Sequence, residues 1–326
     1  MQGTLTHVGS VEPATRSGIE TAVARGKFFW LDLEAVEPEA LDVLDQVFHL
    51  HPLVIRNIDA FGQHPKAEPY GDVTYVVVHG APEAEDPKRT VEVHFVVSKH
   101  YMLTVHRGPC AAIADVRTRV GERTTPLFGV PQIELLYLVV AQLVDGYFPY
   151  LNDFDDTIDN LEDEILLSPN DQQLGTLFEL KRQLIAVRKA VAPQRDVFAA
   201  LAANVTPLPG LTDEGRLYLR DVYDHLIRIN DLVDNYRDLL SGALDTHLST
   251  VSNRLNVVMK QLTIIATVFL PLSFLTGFFG QNFSWLVGHM GGWPAFVLFG
   301  IGLELLCILG LAWYFRKKGW LGSQAT

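Results

Sequence analysis

The sequence predicts a mixed α/β domain that feeds a long helical stalk and ends in a two-helix transmembrane hairpin. Three observations carry that expectation: four β-rich runs confined to the first third, helical periodicity from residue 131 onward, and two long apolar segments near the C-terminus. A bilayer core of about 30 Å needs about 20 mostly apolar residues in a helix. Residues 261–280 supply them without a charge, and residues 294–315 with the single charge of Glu304.

Residues 28–33 (Phe-Phe-Trp-Leu-Asp-Leu) read as a strand. A helix over 38–48 follows it, with Leu41, Leu44, Val47 and Phe48 at helical spacing. Residues 73–79, 91–97 and 101–106 are three further strands, separated by turn signals at 80–87 and 98–100. From residue 133 to about 166 the periodicity predicts one long helix whose outer half is acidic, from Asp153 to Glu164. After a turn at 168–171, a helix returns to about residue 203 carrying Lys181, Arg182, Arg188, Lys189 and Arg195. Charge complementarity between the two arms is the expected bond. Past Pro207 and Pro209 no proline occurs until Pro271, and Val222, Leu226, Ile229, Val233, Tyr236, Leu240 and Leu244 recur at three- and four-residue spacing. One helix over 212–280 would be on the order of 100 Å long at about 1.5 Å per residue. Its apolar stripe calls for partners, most simply identical subunits around an axis.

The chain of 326 residues retains enough outside the spans to bury a substantial core. Its mean hydropathy of +0.16 comes mainly from the spans. The net charge of −12 belongs to the remainder and argues against nucleic acid as a partner. The first residues show neither a basic start nor an apolar run, so no signal peptide is expected. Arg254 and Lys260 flank the first span, Arg316, Lys317 and Lys318 the second, and the loop between them lacks Lys and Arg. The positive-inside rule therefore places both termini in the cytoplasm of a multi-pass plasma-membrane protein. Cys110 in the soluble part and Cys307 in mid-span are not expected to form a disulfide.

The predicted division is a cytoplasmic α/β domain over 1–130, its helical hairpin over 131–210, a stalk helix over 211–260 and a first transmembrane helix over 261–282. An external loop over 283–293, a second transmembrane helix over 294–315 and a basic cytoplasmic tail over 316–326 complete it.

The run from Asn253 to Asn282, ending Thr276-Gly277-Phe278-Phe279-Gly280-Gln281-Asn282, resembles the pore helix of the CorA family of divalent-cation channels. Arg220-Asp221-Val222-Tyr223-Asp224-His225, residues 180–189 and the His51-Pro52-Leu53 stretch resemble it too, collinearly from about Trp30 to Trp320. The resemblance implies a CorA-like funnel: a homopentamer with a cytoplasmic α/β domain, stalk helices continuous with a pore-lining first span, and an outer ring of second spans in the bacterial inner membrane. It also implies Mg2+ and Co2+ uptake, with Mg2+ or another divalent cation as transported and regulatory ligand and no permanently bound cofactor.

Asn256, Met259, Leu262, Ala266, Leu270, Ser273 and Gly277 lie three or four residues apart, and so does Gly280 beyond them. Spacing alone suits helix packing or a pore lining; in the implied pentamer the stripe lines the axis, with apolar rings able to gate by dewetting. Gly280, Gln281 and Asn282 form the expected selectivity filter, where amide and carbonyl oxygens can accept hydrogen bonds from the water of hydrated Mg2+. Gln281 replaces the family's methionine, and the loop 283–293 has no carboxylate. A ZntB-like Zn2+ transporter with proton coupling is therefore the alternative, and a non-conducting membrane-tethered scaffold the third reading.

Asp221 matches the stalk position that holds regulatory Mg2+ in the family, with an acidic partner expected from the stretch 83–86. An ion pair with an arginine of another subunit is its blander role. Glu304 is a candidate for proton coupling or for a hydrogen bond to Ser273 or Thr276. His49 and His51 could suggest a metal pair, but with Pro52 following they read rather as a turn element; His289 could serve as a soft ligand, though a lone loop histidine is more often solvated. No phosphate-binding Gly-rich loop, metalloprotease helix or nucleophile–base arrangement is present in the sequence, so no enzymatic activity is expected.

Overall fold

The four apolar runs form adjacent strands at the centre of one sheet. The strands are β1 (Gly3–His7), β2 (Ser10–Pro13), β3 (Phe29–Leu33), β4 (Lys66–Tyr70), β5 (Val73–Pro82), β6 (Thr90–Val97) and β7 (Tyr101–His106). Their order is β2-β1-β3-β7-β6-β5-β4, and only the β3–β7 pair is parallel among neighbours. The computed structural model describes residues 1–7, 9–83, 89–122, 130–281, 284–289 and 292–320. These divide into two compact units, with the boundary between Asp245 and Thr246.

Both faces of the sheet are covered, so its central strands are apolar on both sides. On one face α1 (Arg16–Arg25), α2 (Pro38–Gln46) and α3 (Pro52–Ala60) pack against Leu31, Leu33, Tyr75, Val77 and Val105. On the other, α4 (Ala111–Gly121), α5 (Pro131–Asp145), α6 (Tyr147–Leu167), α7 (Asp171–Ala202) and the start of α8 (Asp213–Phe279) share a core with Trp30, Val76, Phe95 and Met102. Each such buried side chain contributes about 1.5–3 kcal/mol relative to an exposed one.

The structure corrects three sequence expectations. The long helix over 133–166 is two helices, α5 and α6, which meet at Gly146. Pro149 has no N–H for the Asp145 carbonyl, and a proline is tolerated in the first turn of the new helix. Tyr147 ties the junction to β5 by donating its single hydroxyl hydrogen toward the His79 and Gly80 carbonyls, 3.1 and 3.0 Å away. The hairpin of α6 and α7 is joined by an apolar seam that includes Phe154, Ile158, Leu161, Leu177, Leu184 and Val191. Arg188 of its basic arm reaches Asp234 of α8, at 3.5 Å, rather than the acidic arm. Finally, β5 runs on through the expected turn at Gly80 as far as Pro82, with a register irregularity between them.

The second unit holds the end of α8, then α9 (Ser284–His289), α10 (Trp293–Ala295), a π-helical stretch over Phe296–Gly302 and α11 (Leu303–Lys317). Two of its helical segments are long and apolar enough to cross a membrane, and the most apolar window of each has no fully buried residue in the single chain. At the basic end the Phe315 and Trp320 rings stack at 5.7 Å, and the Lys317 ammonium lies 5.3 Å from the Trp313 ring. Aromatic and cationic side chains of this kind anchor helix ends at a membrane interface.

Candidate pore helix and regulatory carboxylate

From Lys260 onward, the half-buried side chains of α8 are Lys260, Ile264, Val268, Pro271, Leu272, Leu275 and Phe279. At about 3.6 residues per turn they fall on one side of the helix. That side meets the second span: Lys260 Nζ lies 3.5 Å from the Gly319 carbonyl oxygen, and the Phe279 and Phe299 rings are 6.4 Å apart. Asn256, Met259, Leu262, Ala266, Leu270, Ser273, Gly277 and Gly280 are all exposed, Leu270 at 74%. By helical rotation this stripe centres roughly 180° from the covered side. The second span thus leaves the sequence-predicted stripe open along its length.

The helix ends at Phe279, where the Gly280 N–H donates to the Thr276 carbonyl at 2.9 Å and the Gln281 N–H to the Phe278 carbonyl at 3.3 Å. A helix C-terminus carries the negative end of the macrodipole, which favours a cation. A Cβ on Gly280 would come within 2.9 Å of the Thr276 carbonyl oxygen, so glycine keeps this end uncrowded. Asn282, the third residue of the predicted filter, lies outside the described residues.

Glu304 faces the first span. Thr276 Oγ1 donates to Glu304 Oε1 at 2.9 Å and lies 2.7 Å from the Leu272 carbonyl oxygen. A π turn changes the rotation per residue, so the stretch over Phe296–Gly302 re-aims the carboxylate that follows it.

In the first unit Asp221 is exposed on α8, and its Oδ2 accepts the Tyr137 hydroxyl of α5 at 2.9 Å. Burial first, and Asp221 second, push the Tyr137 phenol up to about 12, so it remains a donor near neutral pH. Arg228 sits over the Phe148 ring at 5.2 Å. Of the acidic stretch 83–86, Glu83 caps α4 by accepting the Ala111 N–H at 3.0 Å, while Glu85 and Asp86 lie outside the described residues. Among the described residues no group of three or more His, Cys, Asp or Glu is arranged to hold a metal ion. His51 is the N-cap of α3, its Nδ1 accepting the Leu53 N–H at 3.2 Å, beside His49 at φ 50°. His289 turns back on its own helix, with Nδ1 3.0 Å from the Trp285 carbonyl oxygen.

Tyr137 carries no local sequence signal. It sits in an apolar helix 84 positions from its partner, and only the packing of α5 on α8 reveals it.

The family profile described as CorA-like Mg2+ transporter protein matches residues 25–317. The cobalt/magnesium transport protein CorA of Thermotoga maritima is 34% identical over 299 residues, covering 90% of this chain and 83% of the relative. The zinc transport protein ZntB of Yersinia enterocolitica is 28% identical, covering 90% and 88%. Among solved structures, the CorA magnesium transporter of Methanocaldococcus jannaschii superposes with a TM-score of 0.83 at 22% identity, covering 98% and 99%. That likeness establishes the fold of sheet-containing domain, long helix and C-terminal apolar helix pair. The extent of the profile match and the identity to the Thermotoga protein place the chain in the CorA family of metal-ion transporters.

Proposed function

We propose that this protein is a divalent-cation channel subunit that mediates Mg2+ and Co2+ uptake through an axial pore in a homopentamer. The observation that carries the reading is the open stripe from Asn256 to Gly280 on the side of α8 opposite the second span. Identical subunits packed around that stripe would enclose a path with apolar rings at Met259, Leu262 and Leu270. The uncrowded C-terminal end at Gly280 and Gln281, with Asn282 beyond it, would face hydrated cations at the outer mouth. The membrane potential then drives entry, at about 2.3 kcal/mol per charge per 100 mV and twice that for a divalent ion. Asp221, held by Tyr137, is the residue we assign to closure by internal Mg2+. Both termini lie in the cytoplasm in this reading.

A proton-coupled Zn2+ transporter is the second reading. The Glu304–Thr276 bond supports it, because a mid-span carboxylate beside the pore helix is a natural proton carrier, and so does similarity to the Yersinia zinc protein. Purified protein in liposomes separates the two. Mg2+ and Co2+ uptake without need of a pH gradient supports the channel; Zn2+ uptake that follows the proton gradient, with no Mg2+ flux, overturns it. No flux of any of the three metals favours a scaffold.

A further inference from the structure

Strands β3 and β7 are parallel neighbours, yet the chain leaves them on opposite faces of the sheet. β3 leads to α2 and α3 on one face and β7 leads to α4 on the other. Such a switch point opens a crevice beyond the carboxyl ends of the strands. Here it is a cavity of about 240 Å3 bordered by Asp32, Glu34, His106, Cys110 and Arg117.

Asp32 is fully buried. Thr104 donates to its Oδ1 at 2.6 Å and Arg117 to its Oδ2 at 3.1 Å, while Arg117 also reaches Glu34 at 3.2 Å. His106 Nδ1 lies 2.7 Å from the Gly108 carbonyl oxygen, which can only accept, so Nδ1 carries a hydrogen. The other ring nitrogen, Nε2, is buried without a hydrogen-bond partner and lies 3.3 Å from Asp32 Oδ1. With Nδ1 protonated, a neutral ring turns a lone pair toward the carboxylate, whereas the imidazolium turns an N–H toward it. The contact changes sign with one proton.

We propose that His106 and Asp32 form a pH-operated latch on the turn that starts α4. The turn is also tied by the Gly108 N–H to the Glu34 carbonyl at 3.0 Å and by Arg107 to the Asp59 carbonyl at 2.9 Å. Opening the latch therefore loosens α4 at its first residues. Ile113, Val116 and Val120 of α4 share a core with Leu135, Leu136 and Val139 of α5, the helix that carries Tyr137 and through it Asp221. The latch stands apart from the transport reading; its effect at Asp221 rests on that reading.

The charges around the ring favour the closed form. Burial lowers the His106 pKa, and Asp32, the Gly108 carbonyl and Glu34 together raise it above the ordinary 6.5. Arg117 faces the same cavity from α4 and Glu83 from the end of β5, while burial pushes the Cys110 thiol up to about 11 and keeps it uncharged. A raised histidine stabilises fully below the ordinary value and loses that contribution as pH rises through the raised one. The latch is closed in mild acid and opens on the alkaline side.

Hydrogen exchange of the full-length protein in nanodiscs, read by mass spectrometry and corrected for intrinsic rates, tests the latch. Protection of residues 107–116 should fall between about pH 6 and about pH 9, by about tenfold for each unit by which folding raises the histidine. His106→Gln should show the weaker protection at both values. Unchanged wild-type protection, or a variant that keeps the wild-type pH dependence, overturns the proposal; the wild-type arm needs no substitution. In liposomes the internal Mg2+ concentration that stops flux should shift with internal pH in the wild type and not in His106→Gln. An unshifted response alongside pH-dependent exchange overturns the link to Asp221.

Discussion

Tyr137 on α5 donates its hydroxyl hydrogen to Asp221 on α8 across 2.9 Å. Asp221 is exposed, so the bond contributes little to stability, and its importance lies in where it holds the carboxylate. Tyr137→Phe should unfold within about 1 kcal/mol of the wild type in a denaturant titration. It should also raise the internal Mg2+ needed for closure, in the same direction as Asp221→Ala and by less. Closure unaltered in both variants would remove Asp221 from the gate.

The two sides of the first span should respond differently to the same substitution. Leu270→Ser places a hydroxyl on the open stripe, which should ease wetting and raise cation flux in liposomes. Val268→Ser lies on the side covered by the second span and should lower thermal stability in detergent with no rise in flux. The opposite pattern would mean that the stripe faces lipid or a neighbour rather than the axis.

Thr276 is the donor to Glu304 within the membrane. Thr276→Val should cost about 1–2 kcal/mol, because it removes an interhelical hydrogen bond from a mid-span carboxylate, while Thr276→Ser should retain most of it. Unfolding of the two variants in mixed micelles measures the difference. Equal stability would show that Glu304 finds its hydrogen-bond partner elsewhere.

Glu92 clips the turn after α3 to the sheet. It accepts the Gly62 and Gln63 N–H groups at 2.7 and 2.9 Å and pairs with His94 at 2.9 Å. Burial raises its pKa, but His94 and the two N–H groups outweigh burial and hold it below the ordinary carboxylate range. The stabilisation is therefore present above the ordinary 4.5 and lost as pH falls through the depressed value. Glu92→Gln should cost about 2–3 kcal/mol near neutral pH and flatten the acid limb of the stability profile. Thermal unfolding from about pH 3 to about pH 7 measures both effects.

Burial decides which elements are legible in the sequence. β3, β5, β6 and β7 stand out because helices cover both their faces, so most of their residues are apolar. β1, β2 and β4 escape notice because they lie toward the sheet edges and carry more polar side chains; β4 even contains Pro69, which an edge strand tolerates. The joint at Gly146 is hidden because apolar periodicity runs through it and only the backbone bends. On α8 the stripe from Asn256 to Gly280 is legible as a helical face, but spacing cannot say what it faces; the position of the second span narrows that choice. The clusters at Asp221 and Asp32 are invisible in the sequence, since each joins residues from distant elements.

If the open stripe of α8 lines a cation path, thiols placed on it will be reached by reagents that travel with the cations. In a background of Cys110→Ser and Cys307→Ser, Ser273→Cys and Val268→Cys are reconstituted separately and exposed to a positively charged thiol reagent during Mg2+ uptake. The reagent should stop flux through Ser273→Cys, Mg2+ should slow its reaction, and flux through Val268→Cys should continue. Block at both positions alike, or at Val268→Cys alone, would contradict a cation path along the stripe.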